Sequence, residues 1–185
     1  MMIIKVLLMK IKSNKIDFNK LEVHVFRNKL PDNIKFDSGD IDLNEFLYEE
    51  SIDYCKSNLA VIYLIFYEDH LIAYFSLSSD SVKINQKLDI KLRYYPSMKI
   101  GRLAVDKKYQ SHGIGRWIIW LIVGLTLNVR MSHGIRYISV DAYNNEDTLN
   151  FYSKNKFLIY GKVKENMRNI PMYLDINKFN HDKLF

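Results

Sequence analysis

The sequence contains one cysteine, three prolines and seven glycines, and it lacks a hydrophobic run long enough to cross a membrane. A single thiol, Cys55, cannot form an internal disulfide, which excludes a disulfide-stapled secreted domain and favours a reducing compartment such as the cytoplasm. Its sequence neighbours are typical of a half-buried helix face, so we interpret it as a small core residue rather than a nucleophile. The most apolar run, residues 117–127, is far shorter than the ~20 residues that a bilayer requires. It predicts a buried helix and no membrane partner.

The sequence does have a globular composition and an excess of positive charge. Its 185 residues are 48% hydrophobic and 14% aromatic, which suits one domain with a full core. We assign residues 21–185 to that domain and leave residues 1–20 as an N-terminal extension without a structural assignment. The net charge of +6 favours anionic partners such as a nucleotide cofactor or RNA. For charge alone, a general bias in composition is the simpler explanation.

Alternating and helically spaced apolar residues predict most secondary structure. Strands are expected at residues 21–26, 60–67, 71–79, 99–106 and 137–142, and two short ones near 157–164 and 170–175. Helices are expected over residues 43–54, 114–132 and 144–154, with turns at 68–70 and a polar loop at 80–97. Asp40 or Asp42 is placed to cap the first helix, and Gly134 is expected in the left-handed conformation after the second. Strands that alternate with helices and hairpins predict an α/β (α+β) fold with a mixed sheet covered by helices.

The acidic stretch around Asp40 and Asp42 invites comparison with a calcium-binding loop. The comparison fails, because no glycine stands at the turn position and no glutamate closes the loop. No other cluster in the sequence suggests metal ligands. We therefore predict that the site holds no metal.

Residues 99–115 carry the strongest chemical signal. A predicted strand ends at Val105, and Gly113 and Gly115 then open a long helix. Free N–H groups at a helix start, together with the helix dipole, form an anion site, and glycines let a diphosphate approach the backbone. The pattern is neither a P-loop nor a dinucleotide fingerprint. On local grounds alone, an ordinary strand–helix turn and a phosphate loop are equally supported.

Two motifs that follow one another along the chain favour the phosphate loop over an ordinary strand–helix turn. Residues 103–115 (LAVDKKYQSHGIG) closely resemble the acetyl-CoA motif of GNAT acyltransferases, Gln/Arg-x-x-Gly-x-Gly/Ala after the fourth strand. Residues 145–157 (NEDTLNFYSKNKF) resemble the family's Asn-x-x-Ala-x-x-x-Tyr-x-x-x-Gly-Phe. The resemblance implies a GNAT domain with a mostly antiparallel sheet of six to seven strands, splayed at strands 4 and 5 and flanked by about four helices. It also implies acetyl-CoA as co-substrate.

The resemblance also implies which residues bind acetyl-CoA. The backbone of strand 4 would pair with the pantetheine arm, and the loop and helix start would hold the pyrophosphate. The implied residues are Leu103, Ala104, Val105, Gln110, Ser111, His112, Gly113, Ile114, Gly115 and Arg116. Asn145 is interpreted first as a helix cap and second as a further cofactor ligand. For His112, contact with phosphate is one interpretation, and a surface histidine of the loop is the preferred one.

Tyr152 stands at the motif position that implies the general acid for the departing CoA thiolate. The alternative is a core aromatic residue on an amphipathic helix. Lys156 replaces the motif glycine before Phe157, where a left-handed backbone is usual, and we expect Asn155 to adopt that conformation instead. Strand 4 offers no carboxylate base, which favours an α-amine acceptor over a lysine side chain. Three carboxylates remain as water-mediated bases: Glu68, Asp69 and Asp141.

The N-terminal half carries a narrower resemblance. Residues 36–47 (FDSGDIDLNEFL), 72–77 (IAYFSL) and 101–105 (GRLAV) resemble segments of GNAT-type toxins from toxin–antitoxin pairs. Such toxins acetylate the α-amine of aminoacyl-tRNA, so the resemblance implies an amine acceptor, a tRNA partner and an antitoxin protein. A basic cluster suits RNA, or is simply a solvated face: Lys154, Lys156, Lys162, Lys164 and Arg168. A homodimer is one of the oligomeric states left open.

Two alternatives stay open at this point. One is a general protein N-terminal or small-amine acetyltransferase, which would use the same phosphate loop with another acceptor. The other is a non-catalytic acyl-CoA-binding interaction module that keeps the fold without turnover. The intact loop and Tyr152 argue against the second alternative.

Overall fold

The structure is a computed structural model that describes residues 16–27, 29–31, 33–84, 92–130, 132–164 and 166–178. The strands are β1 (Leu21–Val25), β2 (Val61–Tyr67), β3 (His70–Val82), β4 (Tyr95–Val105), β5 (Tyr137–Tyr143), β6 (Leu158–Ile159) and β7 (Asn169–Asp175). The helices are α1 (Ile41–Glu45), α2 (Ser51–Lys56), α3 (Ile114–Val129) and α4 (Glu146–Lys154). A π-helical segment, Phe46–Glu50, joins α1 to α2. Most of the proposed N-terminal extension lies outside the described residues.

The strands form one seven-stranded sheet in the order β1-β2-β3-β4-β5-β7-β6. Neighbouring strands run antiparallel in the pairs β1–β2, β2–β3, β5–β7 and β6–β7, whereas β4 and β5 are parallel. The predicted mixed, mostly antiparallel α/β fold is therefore confirmed. Among the described residues, β4 pairs with β5 only from Ser97 to Ile100, although β4 continues to Val105. Strand 4 thus leaves the parallel ladder where the splay was expected.

The described chain divides into two compact units. The first takes in residues up to 78 and residues 101–121, and its core includes Phe46, Leu47, Ile62, Tyr74 and Ala104. The second takes in residues 79–100 and 122–178, and one of its core clusters contains Val82, Ile84, Tyr95, Tyr137 and Tyr173. Most of the buried side chains are aliphatic or aromatic, so apolar burial is the main stabilising contribution in each unit.

The predicted polar loop at residues 80–97 was wrong at both ends. Strand β3 continues to Val82 and β4 already begins at Tyr95, and both side chains are buried in the second unit. Asp80, a polar residue inside β3, is accommodated because its carboxylate accepts a 2.7 Å hydrogen bond from the Ser139 hydroxyl. Tertiary packing therefore extended strands that polar composition had suggested would end. Residues 85–91 lie outside the described part of the chain.

Helix α3 carries the apolar run, and Trp117, Ile118 and Ile122 are buried as predicted. No helix within the described residues is long and apolar enough to span a bilayer. The end of α3 differs from expectation, since the helix stops at Val129 and Gly134 has no positive φ. The N–H groups of Ser132 and His133 both donate to the Val129 carbonyl, so the chain turns before it reaches the glycine.

Candidate active site

Asp106 shapes the turn that follows β4. The residue is only 7% exposed, and its carboxylate accepts hydrogen bonds from the backbone N–H groups of Asp37 (3.0 Å) and Lys108 (2.9 Å). Its own N–H donates to the Ile72 carbonyl at 2.8 Å. These three bonds place the start of the loop relative to β3 and to the turn before α1. The sequence motif contained Asp106, but nothing local revealed this positioning role.

The side chain of Gln110 also holds the loop in place. Its Nε2 amide donates to the carbonyl oxygens of Ser38 (2.8 Å) and Val105 (3.0 Å). A glutamine amide has two N–H donors, so both are used within the chain. The backbone N–H of Gln110 remains available for the binding role that we expected, whereas the side chain acts on the loop itself.

Two residues of the loop adopt left-handed backbone conformations, Ser111 (φ 62°) and Gly113 (φ 86°). Left-handed residues within a turn aim successive N–H groups into one concavity, which is an anion-binding arrangement. His112 lies between them, and its Nδ1 atom is 2.6 Å from the Gln110 carbonyl oxygen. The imidazole is therefore engaged with the loop backbone. A serine in this conformation is strained, and such strain clusters at binding sites.

The N–H groups of the loop are unused over a continuous stretch. Among the described residues, no hydrogen-bond acceptor is found for the backbone N–H of any residue from Gln110 to Arg116. The first turn of α3 contains no acidic side chain, and it places the exposed Arg116 at the positive end of the helix dipole. A cation is unfavourable there unless an anion is bound. The arrangement suits a diphosphate.

The end of β4 leads into this loop. Ala104 is 2% exposed and packs in the first core with Phe46 and Tyr74, while Leu103 and Val105 are half-buried. The same unit therefore contains every residue from 103 to 116 that the motif implies.

Asn145 and Tyr152 belong to the second unit, where they lie at the start and on the buried face of α4. The Asn145 side chain accepts a 2.8 Å hydrogen bond from the Thr148 N–H, so the predicted cap is present. Tyr152 is 6% exposed, and its ring lies 5.2 Å from that of Phe157. Its hydroxyl makes no hydrogen bond with any described residue. Burial raises the pKa of Tyr152 above its ordinary value, so the phenol keeps its proton.

Lys156 departs from our expectation. Lys156 itself adopts the left-handed conformation (φ 71°), whereas Asn155 does not (φ −92°). The Phe157 N–H donates to the Tyr152 carbonyl and the Lys156 N–H to the Ser153 carbonyl, both at 3.0 Å. This pair of bonds is the Schellman motif, which requires the left-handed residue at position 156. The motif brings Phe157 against Tyr152.

The three carboxylates that were considered as general bases are either ion-paired or exposed. Asp141 forms a 2.6 Å ion pair with Lys99 in the second unit. Glu68 forms a 2.9 Å ion pair with Lys20, and Asp69 lies beside it in the exposed β2–β3 turn. Neither arrangement provides a buried carboxylate that is free to accept a proton.

Comparisons with known proteins agree with this geometry. The sequence model of the acetyltransferase (GNAT) family matches residues 30–157. No curated protein matches the chain at a significant level. A tyrosine-to-phenylalanine mutant of KacT is structurally similar, with 23% identity over 90% of this chain and 99% of that one and a TM-score of 0.75.

Two structures of AtaT are also similar. AtaT complexed with acetyl-methionyl-tRNAfMet has 20% identity over 85% of this chain and 95% of that one, with a TM-score of 0.72. A tyrosine-to-phenylalanine mutant of the AtaT toxin, bound to the C-terminus of the antitoxin AtaR and acetyl-CoA, has 22% identity over 85% and 94%, with a TM-score of 0.66. At these identities the structural likeness establishes the fold.

The family match spans more than half of the chain and includes both β4 and the N–H-rich loop. It confirms the predicted enzyme class, an acyltransferase, and the predicted co-substrate, acetyl-CoA. The chain belongs to the acetyltransferase (GNAT) family.

Proposed function

We propose that this chain transfers the acetyl group of acetyl-CoA to the α-amine of an aminoacyl-tRNA. The observation that carries the proposal is the run of backbone N–H groups from Gln110 to Arg116 that lack an acceptor among the described residues. These groups would hold the diphosphate, with the added charge of Arg116 beside them. The backbone of Leu103 and Val105 would hold the amide-bearing arm.

Acetyl-CoA supplies an activated thioester, and the chain's residues supply position and a proton. A backbone N–H near Val105 would donate to the oxygen on which negative charge develops. Tyr152 would donate its phenolic proton to the departing sulfur. Its hydroxyl suits this role, because burial keeps it protonated and no described group competes for its hydrogen bond.

The type of amine that accepts the acetyl group is inferred from the absence of a carboxylate general base on β4. Strand β4 (YPSMKIGRLAV) carries no Asp or Glu, and its Lys99 is paired with Asp141. A lysine side chain has a pKa of about 10.4 and needs a base, whereas an α-amine at about 8 loses its proton readily near neutral pH. The solved AtaT complex contains acetyl-methionyl-tRNAfMet. These observations support an α-amine acceptor.

The surface charge supports an RNA acceptor in particular. Five basic residues of the second unit are all exposed: Lys154, Lys156, Lys162, Lys164 and Arg168. Basic side chains spaced along one segment neutralise phosphates and release counterions, which strengthens RNA binding at low salt. An antitoxin protein is the second partner that we propose, because the AtaT toxin binds the C-terminus of AtaR.

The test is acetyl transfer by the purified protein to three acceptors: methionyl-tRNA, a peptide with a free N-terminus, and a polyamine. Transfer to the charged tRNA alone supports the proposal. Transfer to peptide or polyamine with none to tRNA would replace it by a general amine acetyltransferase. Binding of acetyl-CoA without transfer to any acceptor would indicate an interaction module. In cells, growth arrest on expression should be relieved by Tyr152→Phe.

A further inference from the structure

Arg102 is a half-buried cation that has no anionic partner among the described residues. Its guanidinium carbon lies 5.0 Å from the centre of the Phe46 ring, and its Nη1 donates to the carbonyl oxygen of Gly101 at 3.0 Å. Its Nε is buried and has no hydrogen-bond partner. No carboxylate among the described residues forms an ion pair with Arg102. No described carboxylate therefore compensates the charge of this side chain.

The aromatic surface beneath Arg102 is held firmly. Phe46 is 1% exposed and begins the π-helical segment, and its ring stacks on Tyr74 with centres 6.1 Å apart and planes 15° apart. The Tyr74 hydroxyl donates to the Leu43 carbonyl at 2.6 Å, which ties the stack to α1. Single π-helical turns inside α-helices recur at functional sites. The guanidinium is thus pre-positioned by groups that do not neutralise it.

An uncompensated charge that is partly removed from water is unfavourable, and a ring face and one carbonyl offset only part of that cost. An anion would restore neutrality and would accept the remaining guanidinium hydrogen bonds. We propose that Arg102 is a specificity-determining residue that binds a phosphate group near the 3′ end of the RNA acceptor. The inference rests on the proposed function and names the chemical class that the acceptor site selects.

The chemistry of the other acceptors argues for phosphate. A polyamine is a cation, which Arg102 would repel, and a peptide N-terminus presents neutral amides rather than an anion. An RNA acceptor carries one phosphate per nucleotide beside the amine-bearing end. Arg102 is also two residues from Ala104, at the end of β4 where the acetyl group is expected. The residue is therefore placed to distinguish RNA from peptide acceptors.

The experiment compares wild type, Arg102→Gln and Arg102→Lys by the binding of deacylated tRNA across a salt series, which needs no turnover. We expect Arg102→Gln to weaken tRNA binding on the order of 10- to 100-fold, and to lower the salt slope by about 0.7, as for one phosphate of a single strand. Arg102→Lys should recover part of the affinity and the slope. Acetyl-CoA affinity, measured by calorimetry, should stay at the wild-type level in both variants.

Arg27→Gln is the matched control, because Arg27 is an exposed arginine of the same unit. It should leave the affinity near that of wild type. An unchanged affinity and salt slope in Arg102→Gln would overturn the inference, as would a parallel loss of acetyl-CoA affinity, which would mean a structural role in β4. If Arg102→Gln does not fold, Arg102→Lys tests the inference through the same three measurements, which are tRNA affinity, its salt slope and acetyl-CoA affinity. Absence of acetyl transfer by wild type to methionyl-tRNA would instead count against the proposed function.

Discussion

The side-chain amide of Gln110 donates a 2.8 Å hydrogen bond to the carbonyl oxygen of Ser38, a residue 72 positions earlier in the chain. The same amide donates to Val105 at the end of β4. One side chain therefore connects the loop before α3 to the strand that precedes it and to the turn before α1. The conformation of the loop depends on that connection, since the N–H groups from Gln110 to Arg116 make no bonds within the described chain.

Replacing Gln110 should loosen the loop. We expect Gln110→Ala to lower the free energy of unfolding by about 1–3 kcal/mol, because two hydrogen bonds of about 0.5–1.5 kcal/mol are lost. Acetyl-CoA affinity should fall about 10-fold, because the loop must then be ordered on binding. Urea unfolding and calorimetry measure the two effects. Asn166→Ala, at an exposed amide, should change neither. An unaltered affinity in Gln110→Ala would show that the loop is held by other contacts.

Gly113 should be needed for its backbone conformation. In Gly113→Ala the added Cβ disfavours φ 86°, at a cost of about 1–2 kcal/mol, and it also crowds the approach to the N–H groups. We expect acetyl-CoA affinity to fall by at least about 10-fold. Gly161→Ala is the control, because Gly161 has φ 77° and open space around it. It should show a similar loss of stability with unchanged affinity. Equal losses of affinity in both variants would contradict the assignment of the loop.

Tyr152→Phe should lower kcat without altering acetyl-CoA affinity. Loss of a general acid typically costs about 10²- to 10⁴-fold in rate, whereas the hydroxyl contributes no hydrogen bond to the described fold. Because burial raises the pKa of Tyr152, we expect no loss of wild-type kcat up to pH 9 from its ionisation. Tyr63→Phe removes the same atom from a half-buried ring stacked on Phe75 and should keep full activity. Normal turnover by Tyr152→Phe would exclude the acid role.

Lys156→Gly should stabilise the protein. The left-handed backbone at Lys156 is unfavourable for a side chain by about 1–2 kcal/mol, and glycine removes that strain while adding unfolded-state entropy. We expect a net gain of about 0.5–1 kcal/mol in the free energy of unfolding. Lys154→Gly removes the same charge from the last residue of α4 and should destabilise by about 1 kcal/mol. A loss of stability in Lys156→Gly would mean that the lysine side chain makes a compensating contact.

Local patterns predicted those features that local chemistry controls. The alternation of Leu21 to Val25 and the cap at Asn145 both appear where the sequence placed them. Of the two candidate caps of the first helix, Asp40 and Asp42, Asp40 is the one observed, because its carboxylate accepts a hydrogen bond from the Leu43 N–H. The N–H groups without an acceptor at the start of α3 belong to the same class, because free N–H groups are an inherent property of a helix start.

Contacts between distant residues were beyond such patterns. No spacing in the sequence indicates that Arg102 lies on Phe46. The left-handed residue after α4 is a different case, because its cause is local: the Schellman bonds of Lys156 and Phe157 require that conformation at Lys156 and not at Asn155.

The amino-acid sequence by itself determined the family, the order of strands and helices along the chain, and the glycine-bearing loop that opens α3. Only the tertiary structure decided which side chains hold that loop and which charges lack a partner. The physical reason is that local backbone preferences act over a few residues, whereas the hydrogen bond from Gln110 to Ser38 and the stacking of Arg102 on Phe46 exist only after distant segments have packed.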